Sequence, residues 1–236
     1  MNTQLSQIKN VVLVHGAFAD GSGWRGVYDN LTERGYRVSI VQIPLTSFTD
    51  DVAATTRVLD HQDDPAILVG HSWGGTVITE AGVHPNVAGL VYVSALVPDS
   101  GQTSAQQYEG FAEATEFVID IGDDGFGHLN RDKFKAGFAH DTSDADAAFL
   151  ADSQVPINMA SFGEAVTKAA WHDKPSWAVI ATEDKAFDQA MLQHMAQRAG
   201  ARVTNVSASH ALFLTQPGVV ADTIDEAART AVSELV

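Results

Sequence analysis

Ile67-Leu68-Val69-Gly70-His71-Ser72-Trp73-Gly74-Gly75-Thr76 is the stretch that decides how this chain is read. Ala66 to Val69 is apolar, as a buried strand would be, and a helical pattern runs from Trp73 to Gly82. Between them, Gly70 to Gly74 fits G-x-S-x-G, the spacing of a serine on a sharp strand-to-helix turn. Such a turn strains the backbone of its serine and brings the residues two positions either side close to other backbone. Glycine at 70 and 74 permits that approach. The Ser72 hydroxyl is therefore expected above a sheet, with the N-terminus of the next helix beneath it.

Working outward, Val11 to Val14 reads as a buried strand, followed by a glycine-rich loop from His15 to Gly23. Trp24 to Arg34 has helical spacing and Gly35 closes it. Arg37 to Ile43 is a second strand, stopped by Pro44. Thr49 to His61 reads as a helix with Thr49 as cap and Asp50 and Asp51 in its first turn. Val87 to Ser94 is another strand, and Pro98-Asp99-Ser100-Gly101 breaks the pattern. This βαβαβαβ order predicts a mostly parallel sheet with helices on both faces. Ligands of such sheets bind at the carboxyl ends of the strands, the edge shared by the Gly16 loop, Ser72 and Asp99.

From Gln102 to Lys174 the pattern changes. Helical pieces are expected over Thr103–Glu113, Arg131–Ala139, Ser143–Ala151 and Ser161–Ala170, with Ser161-x-x-Glu164 as a capping box. Seven of the chain's 11 phenylalanines fall here, which points to a helical lid over the strand edge. The core resumes with strands Trp177–Thr182 and Arg202–Val206, a helix over Asp188–Ala199 closed by Gly200, and a terminal helix from Pro217 to Leu235. The expected organisation is a core of residues 1–98 and 175–236 with a lid of residues 99–174.

The 236 residues are 45 % hydrophobic, enough for a sizeable core, and carry 14 basic against 30 acidic side chains, a formal charge of −16. That charge disfavours nucleic acid and anionic membrane surfaces as partners. There is no cysteine, so disulfides, thiolate nucleophiles and cysteine-bound zinc are excluded. Met1 to Asn10 lacks the apolar core of a secretory signal, and no window is apolar enough for a membrane span. A soluble, cytoplasmic protein is the expectation. Gly16 to Gly21 lacks the dinucleotide spacing, no Walker sequence is present, and the aspartates at 123–124 and 141–146 lack the calcium-loop register. No metal and no cofactor are expected.

A serine hydroxyl needs a base, and the base an orienting acid. Asp184 follows one strand and His210 the next, both on the edge where Ser72 is expected, in the order serine, acid, base. Of the nine histidines, only His210 follows the last strand with a helix after it. Glu183 and Asp99 are rivals for the acid. His15 is read as holding its loop by hydrogen bonds, and His71 as pointing away from Ser72. Acyl transfer also needs donors for the oxyanion; the amides of Trp73 and Ala17 are the expected pair.

These stretches resemble a known family in combination: Val11 to Ala17, Gly21 to Trp24, Gly70 to Gly75, Ala181 to Ala186 and Ser209-His210. They are similar to the α/β-hydrolase branch of plant methyl-salicylate-type esterases, hydroxynitrile lyases and bacterial pyrethroid-hydrolase-like esterases. The resemblance implies an α/β-hydrolase fold of about six strands. It also implies a triad of Ser72, Asp184 and His210 and an oxyanion hole from the amides of Ala17 and Trp73. The lyases carry threonine where Gly16 stands and lysine where Ala211 stands, so the departure at both positions favours hydrolysis. The expected activity is that of a serine carboxylesterase on a small apolar or aromatic ester, with Phe18 and Trp24 lining the pocket. The alternatives are a lyase-like or other non-hydrolytic reaction on the same scaffold, or a low-turnover ligand-binding receptor. Any assembly is expected to be a homodimer.

Overall fold

The computed structural model describes residues 7–234. The polar character read at Met1–Ser6 and the final helical residue expected, Leu235, lie outside them. Six strands form one sheet: β1 (Asn10–Val14), β2 (Arg37–Val41), β3 (Ala66–His71), β4 (Val87–Val93), β8 (Ser176–Ala181) and β9 (Arg202–Val206). Their order is β2-β1-β3-β4-β8-β9 and every pairing is parallel. β1, β3, β4 and β8 are buried along their whole length, as strands covered on both faces must be. β2 and β9 form the edges and are partly exposed.

The helices follow from their ends. α1 (Arg25–Glu33) stops at Gly35, whose φ of 82° suits glycine. α2 (Phe48–Asp60) begins one residue earlier than the sequence reading. Ser47, with extended backbone, accepts the Asp50 N–H through Oγ, so Ser47 and not Thr49 is the cap. α3 (Trp73–Ala81) starts directly after Ser72. α6 (Gln189–Arg198) is capped by the Asp188 carboxylate on two amides. α7 (Leu212–Thr215) and α8 (Pro217–Glu234) close the chain. α1 packs on α8, α2 packs on α3, and α8 lies along β3, β4 and β8.

The segment between β4 and β8 departs from the all-helical reading. β5 (Ile119–Ile121), β6 (Phe126–Leu129) and β7 (Ile157–Asn158) make a small antiparallel sheet beside α4 (Phe134–Phe138) and α5 (Asp144–Asp152). The helix expected over Thr103–Glu113 is a 3-10 turn at Ala105–Tyr108, and that over Ser161–Ala170 is two such turns, Met159–Gly163 and Ala170–His172. The capping box does not form. Asn158 caps the Met159 turn, the Glu164 carboxylate accepts from Phe48 N–H at 3.1 Å, and the buried Ser161 Oγ has no partner among the described residues.

The segment between β4 and β8 is bonded to the rest of the chain at several points. Asn158 donates its N–H to Leu45 C=O at 2.9 Å and its side-chain amide to Thr46 C=O at 3.0 Å. Thr167 N–H and its hydroxyl both donate to the Glu80 carboxylate. No helix among the described residues is long and apolar enough to cross a membrane.

Candidate active site

Three carboxyl-edge loops converge on Ser72. Its own loop is the turn from β3 to α3, where Ser72 adopts φ 54°, ψ −120°. The glycine reading there has a direct geometric reason. A Cβ at Gly70 would stand 2.4 Å from Gly74 O, and one at Gly74 would stand 2.7 Å from His15 O. Ser72 Oγ lies 2.9 Å from His210 Nε2, and His210 Nδ1 lies 2.7 Å from Asp184 Oδ2. Each ring nitrogen has one partner. Nδ1–H therefore donates to the carboxylate, and Nε2 is left to accept from the hydroxyl. The side chains of His210 and Asp184 are both 0 % exposed. The other Asp184 oxygen accepts the Ala186 and Phe187 amides at 2.8 and 3.0 Å, which fixes the carboxylate.

The rivals for the acid are engaged elsewhere. Glu183 accepts the Ser207 hydroxyl at 2.5 Å, and Asp99 faces His172 at 2.7 Å. Burial alone would raise Asp99, but the bonds from His172 and Ser100 hold it below the usual carboxylate range. His71 points away from Ser72: its Nε2–H donates to His210 C=O at 2.9 Å, and burial keeps it well below the ordinary imidazole range. His15 Nδ1–H donates to Gly16 C=O at 2.9 Å while Nε2 accepts the Ile43 N–H at 3.1 Å, so His15 bonds its own loop to the segment just after β2. Burial lowers it as well.

The insertion touches both loops of the His–Asp pair. Phe138 C=O accepts Ala211 N–H at 3.1 Å, Asp141 accepts Ser209 N–H at 3.0 Å, and His140 Nε2–H donates to Glu183 C=O at 2.8 Å. The Phe138 ring stands edge-on to His210, with centroids 5.1 Å apart.

A cavity of about 370 Å³ opens at Ser72. Ala17 and Trp73 line it, and their amides are the expected oxyanion donors. As the first residue of α3, Trp73 has an N–H without an intrahelical acceptor. Phe18, with φ 59°, Phe117, Ile119, Met159 and Phe162 line the cavity as well. So do Leu96, Ala105, Tyr108, Ala186 and Phe187. Glu113 is the single charged side chain of the lining.

Trp24, expected in the pocket, is not there. The 3-10 turn Gly21–Trp24 turns its ring inward, where it meets Phe213 with centroids 5.6 Å apart and lies edge-on to His71. The pocket residues that sequence reasoning did not name, Tyr108, Ile119, Met159 and Phe187 among them, lie in loops and short elements without periodicity. Asp184 offered one signal for Phe187, since its loop continues directly into that residue.

A carbendazim-hydrolysing esterase from Nocardioides sp. is 34 % identical over 110 residues, which are 40 % of this chain and 45 % of that protein, so the match spans under half of that relative. An alpha/beta hydrolase from Aspergillus novofumigatus is 24 % identical over 94 % of this chain and 97 % of its own. Among solved structures, a pyrethroid hydrolase from Sphingobium faniae superimposes with a TM-score of 0.79 at 22 % identity, over 93 % of this chain and 97 % of that one. The model of the alpha/beta hydrolase family matches residues 11–223, and the chain belongs to that family.

Proposed function

We propose that this protein is a serine carboxylesterase. The observation that carries the reading is the continuous line Ser72 Oγ–His210 Nε2–His210 Nδ1–Asp184, with steps of 2.9 and 2.7 Å, ending in a cavity. Ser72 Oγ attacks the ester carbonyl as His210 Nε2 takes its proton. Asp184 holds the ring in that tautomer and stabilises the imidazolium. The oxyanion faces the amides of Ala17 and Trp73 at the positive end of α3. His210 returns the proton to the departing alcohol, and water releases the acid from the acyl-enzyme. Relatives named as a carbendazim-hydrolysing esterase and a pyrethroid hydrolase support hydrolysis.

The lining sets the substrate class. It is aromatic and aliphatic apart from Ser72, Tyr108 and Glu113, and it holds no cationic side chain. Neutral esters of modest size with apolar or aromatic groups fit it. The lyase alternative has no support at the two positions that separate it. A Cβ at Gly16 would stand 2.8 Å from Ser72 Cβ, and Ala211 is a fully buried small side chain with no cationic group.

Wild type should hydrolyse short aryl esters with a burst of alcohol release, and Ser72→Ala should lose at least about 10⁴-fold in kcat. A serine-directed phosphonate should label Ser72 alone. Equal activity of the two proteins would overturn the assignment.

A further inference from the structure

Asp51 is a charged side chain that this mechanism leaves unused. It sits in the first turns of α2 and is 0 % exposed. Each oxygen accepts one hydrogen bond, Oδ1 from Leu45 N–H at 2.7 Å and Oδ2 from the indole Nε1–H of Trp73 at 2.8 Å. A carboxylate withdrawn from water is costly to keep unless its acceptor sites are filled, and here both bonds run to residues that matter for the site.

Trp73 is the residue after Ser72. Its ring is a wall of the cavity, 4.9 Å from Phe162 and 5.9 Å from Phe48 between centroids, and its amide is the first of α3. Leu45 holds a left-handed backbone, φ 60°, which a branched side chain adopts only where surrounding bonds impose it. Its C=O accepts the Asn158 N–H of β7. Glu164 of the same insertion bonds Phe48 N–H, at the start of Asp51's own helix. One carboxylate thus joins the turn after the nucleophile, the loop after β2 and, through Leu45, the insertion.

We propose that Asp51 is a positioning residue for the hydrolysis assigned above: from behind the cavity wall it holds Trp73, and with it the amide beside Ser72, in register with the insertion. The inference rests on that assignment. Protonation weakens the hold, because the oxygen that takes the proton then presents an O–H to an N–H donor and only the other still accepts. Burial is the main cause that raises Asp51, to about 6, while the Trp73 and Leu45 bonds oppose it and the carboxylates of Asp50 and Glu164 add to it. Those two carboxylates, one on its own helix and one from the insertion, are the charged groups that face it.

The test uses Asp51→Asn, Trp73→Phe and the double variant in the full chain. Asparagine keeps the shape but supplies one acceptor for two donors. Its kcat on an aryl ester should fall about tenfold with KM changed less than about twofold. The two substitutions should be non-additive, the double variant having a kcat no lower than Trp73→Phe alone. The acid limb of log kcat against pH should be shallower in Asp51→Asn by up to one unit of slope. A readout independent of turnover is the Trp73 emission, taken as wild type minus Trp73→Phe. It should titrate with a midpoint near pH 6 and lose that titration in Asp51→Asn. Wild-type kcat and an unchanged acid limb in a folded Asp51→Asn, strict additivity, or a Trp73 signal flat through pH 6 would each overturn the proposal. Ser72→Ala separates the two readings: if it stays active the esterase assignment falls, whereas the emission titration still reports on the Asp51–Trp73 bond.

Discussion

Ser72 shows what keeps one strained residue in place. Its φ of 54° is unfavourable for serine, yet its N–H donates to Val93 C=O, and its C=O accepts the amides of Gly75 and Leu96. Asp51 has a comparable standing, a buried charge held by its bonds. Its folded-state value near 6 lies above the ordinary 3.8, so between those two values the folded chain binds more protons than the unfolded one. The unfolding free energy owed to this group therefore rises as pH falls from about 6 to about 4, by on the order of 2–3 kcal/mol. Measured against Asp51→Asn, the wild-type urea midpoint should gain over that interval while its kcat declines. At this scale the sequence was most legible where chemistry dictates residue type: Ser72, Asp184 and His210 stand in one hydrogen-bonded line. It was least legible where direction decides. Trp24 is aromatic and close to the right loop in sequence, but a 3-10 turn sends its ring toward Phe213.

Elements were readable in proportion to length. The six core strands have five to seven residues and β-branched or apolar runs. β5, β6 and β7 have three, four and two residues, too few to display alternation. The Ser161–Glu164 spacing failed because Glu164 bonds the start of α2, a partner distant in sequence. Among element junctions, the turn from β3 to α3 has the least slack. Gly70→Ala places a methyl 2.4 Å from the Gly74 carbonyl, a backbone atom that no rotamer change can move. The expected cost is about 1–3 kcal/mol of stability with loss of esterase activity, read by thermal melting and phosphonate labelling. Asp141→Ala frees the Ser209 amide and the Thr215 hydroxyl without touching the cavity. It should lower kcat severalfold while leaving KM nearly unchanged.

Across the whole molecule, a formal charge of −16 surrounds a cavity whose lining has one charge, also negative. An ester bearing a carboxylate should show kcat/KM about tenfold or more below its neutral isostere at low ionic strength. The gap should narrow in 0.5 M salt; a gap independent of salt would mean that shape, not charge, excludes the anion. The parallel β4–β8 pairing is a whole-molecule feature with a different consequence. Leu90 lies beside Ser176 in the sheet, yet the entire insertion is threaded between them. Closing a loop of that size costs little more than closing one of half its length, about 0.6 kcal/mol per doubling. The seam therefore behaves like a socket: segments of quite different length and shape can be inherited there while the sheet and the serine turn persist. A replacement for that one contiguous stretch would have to keep the bonds now made to Leu45, Ser209 and Ala211.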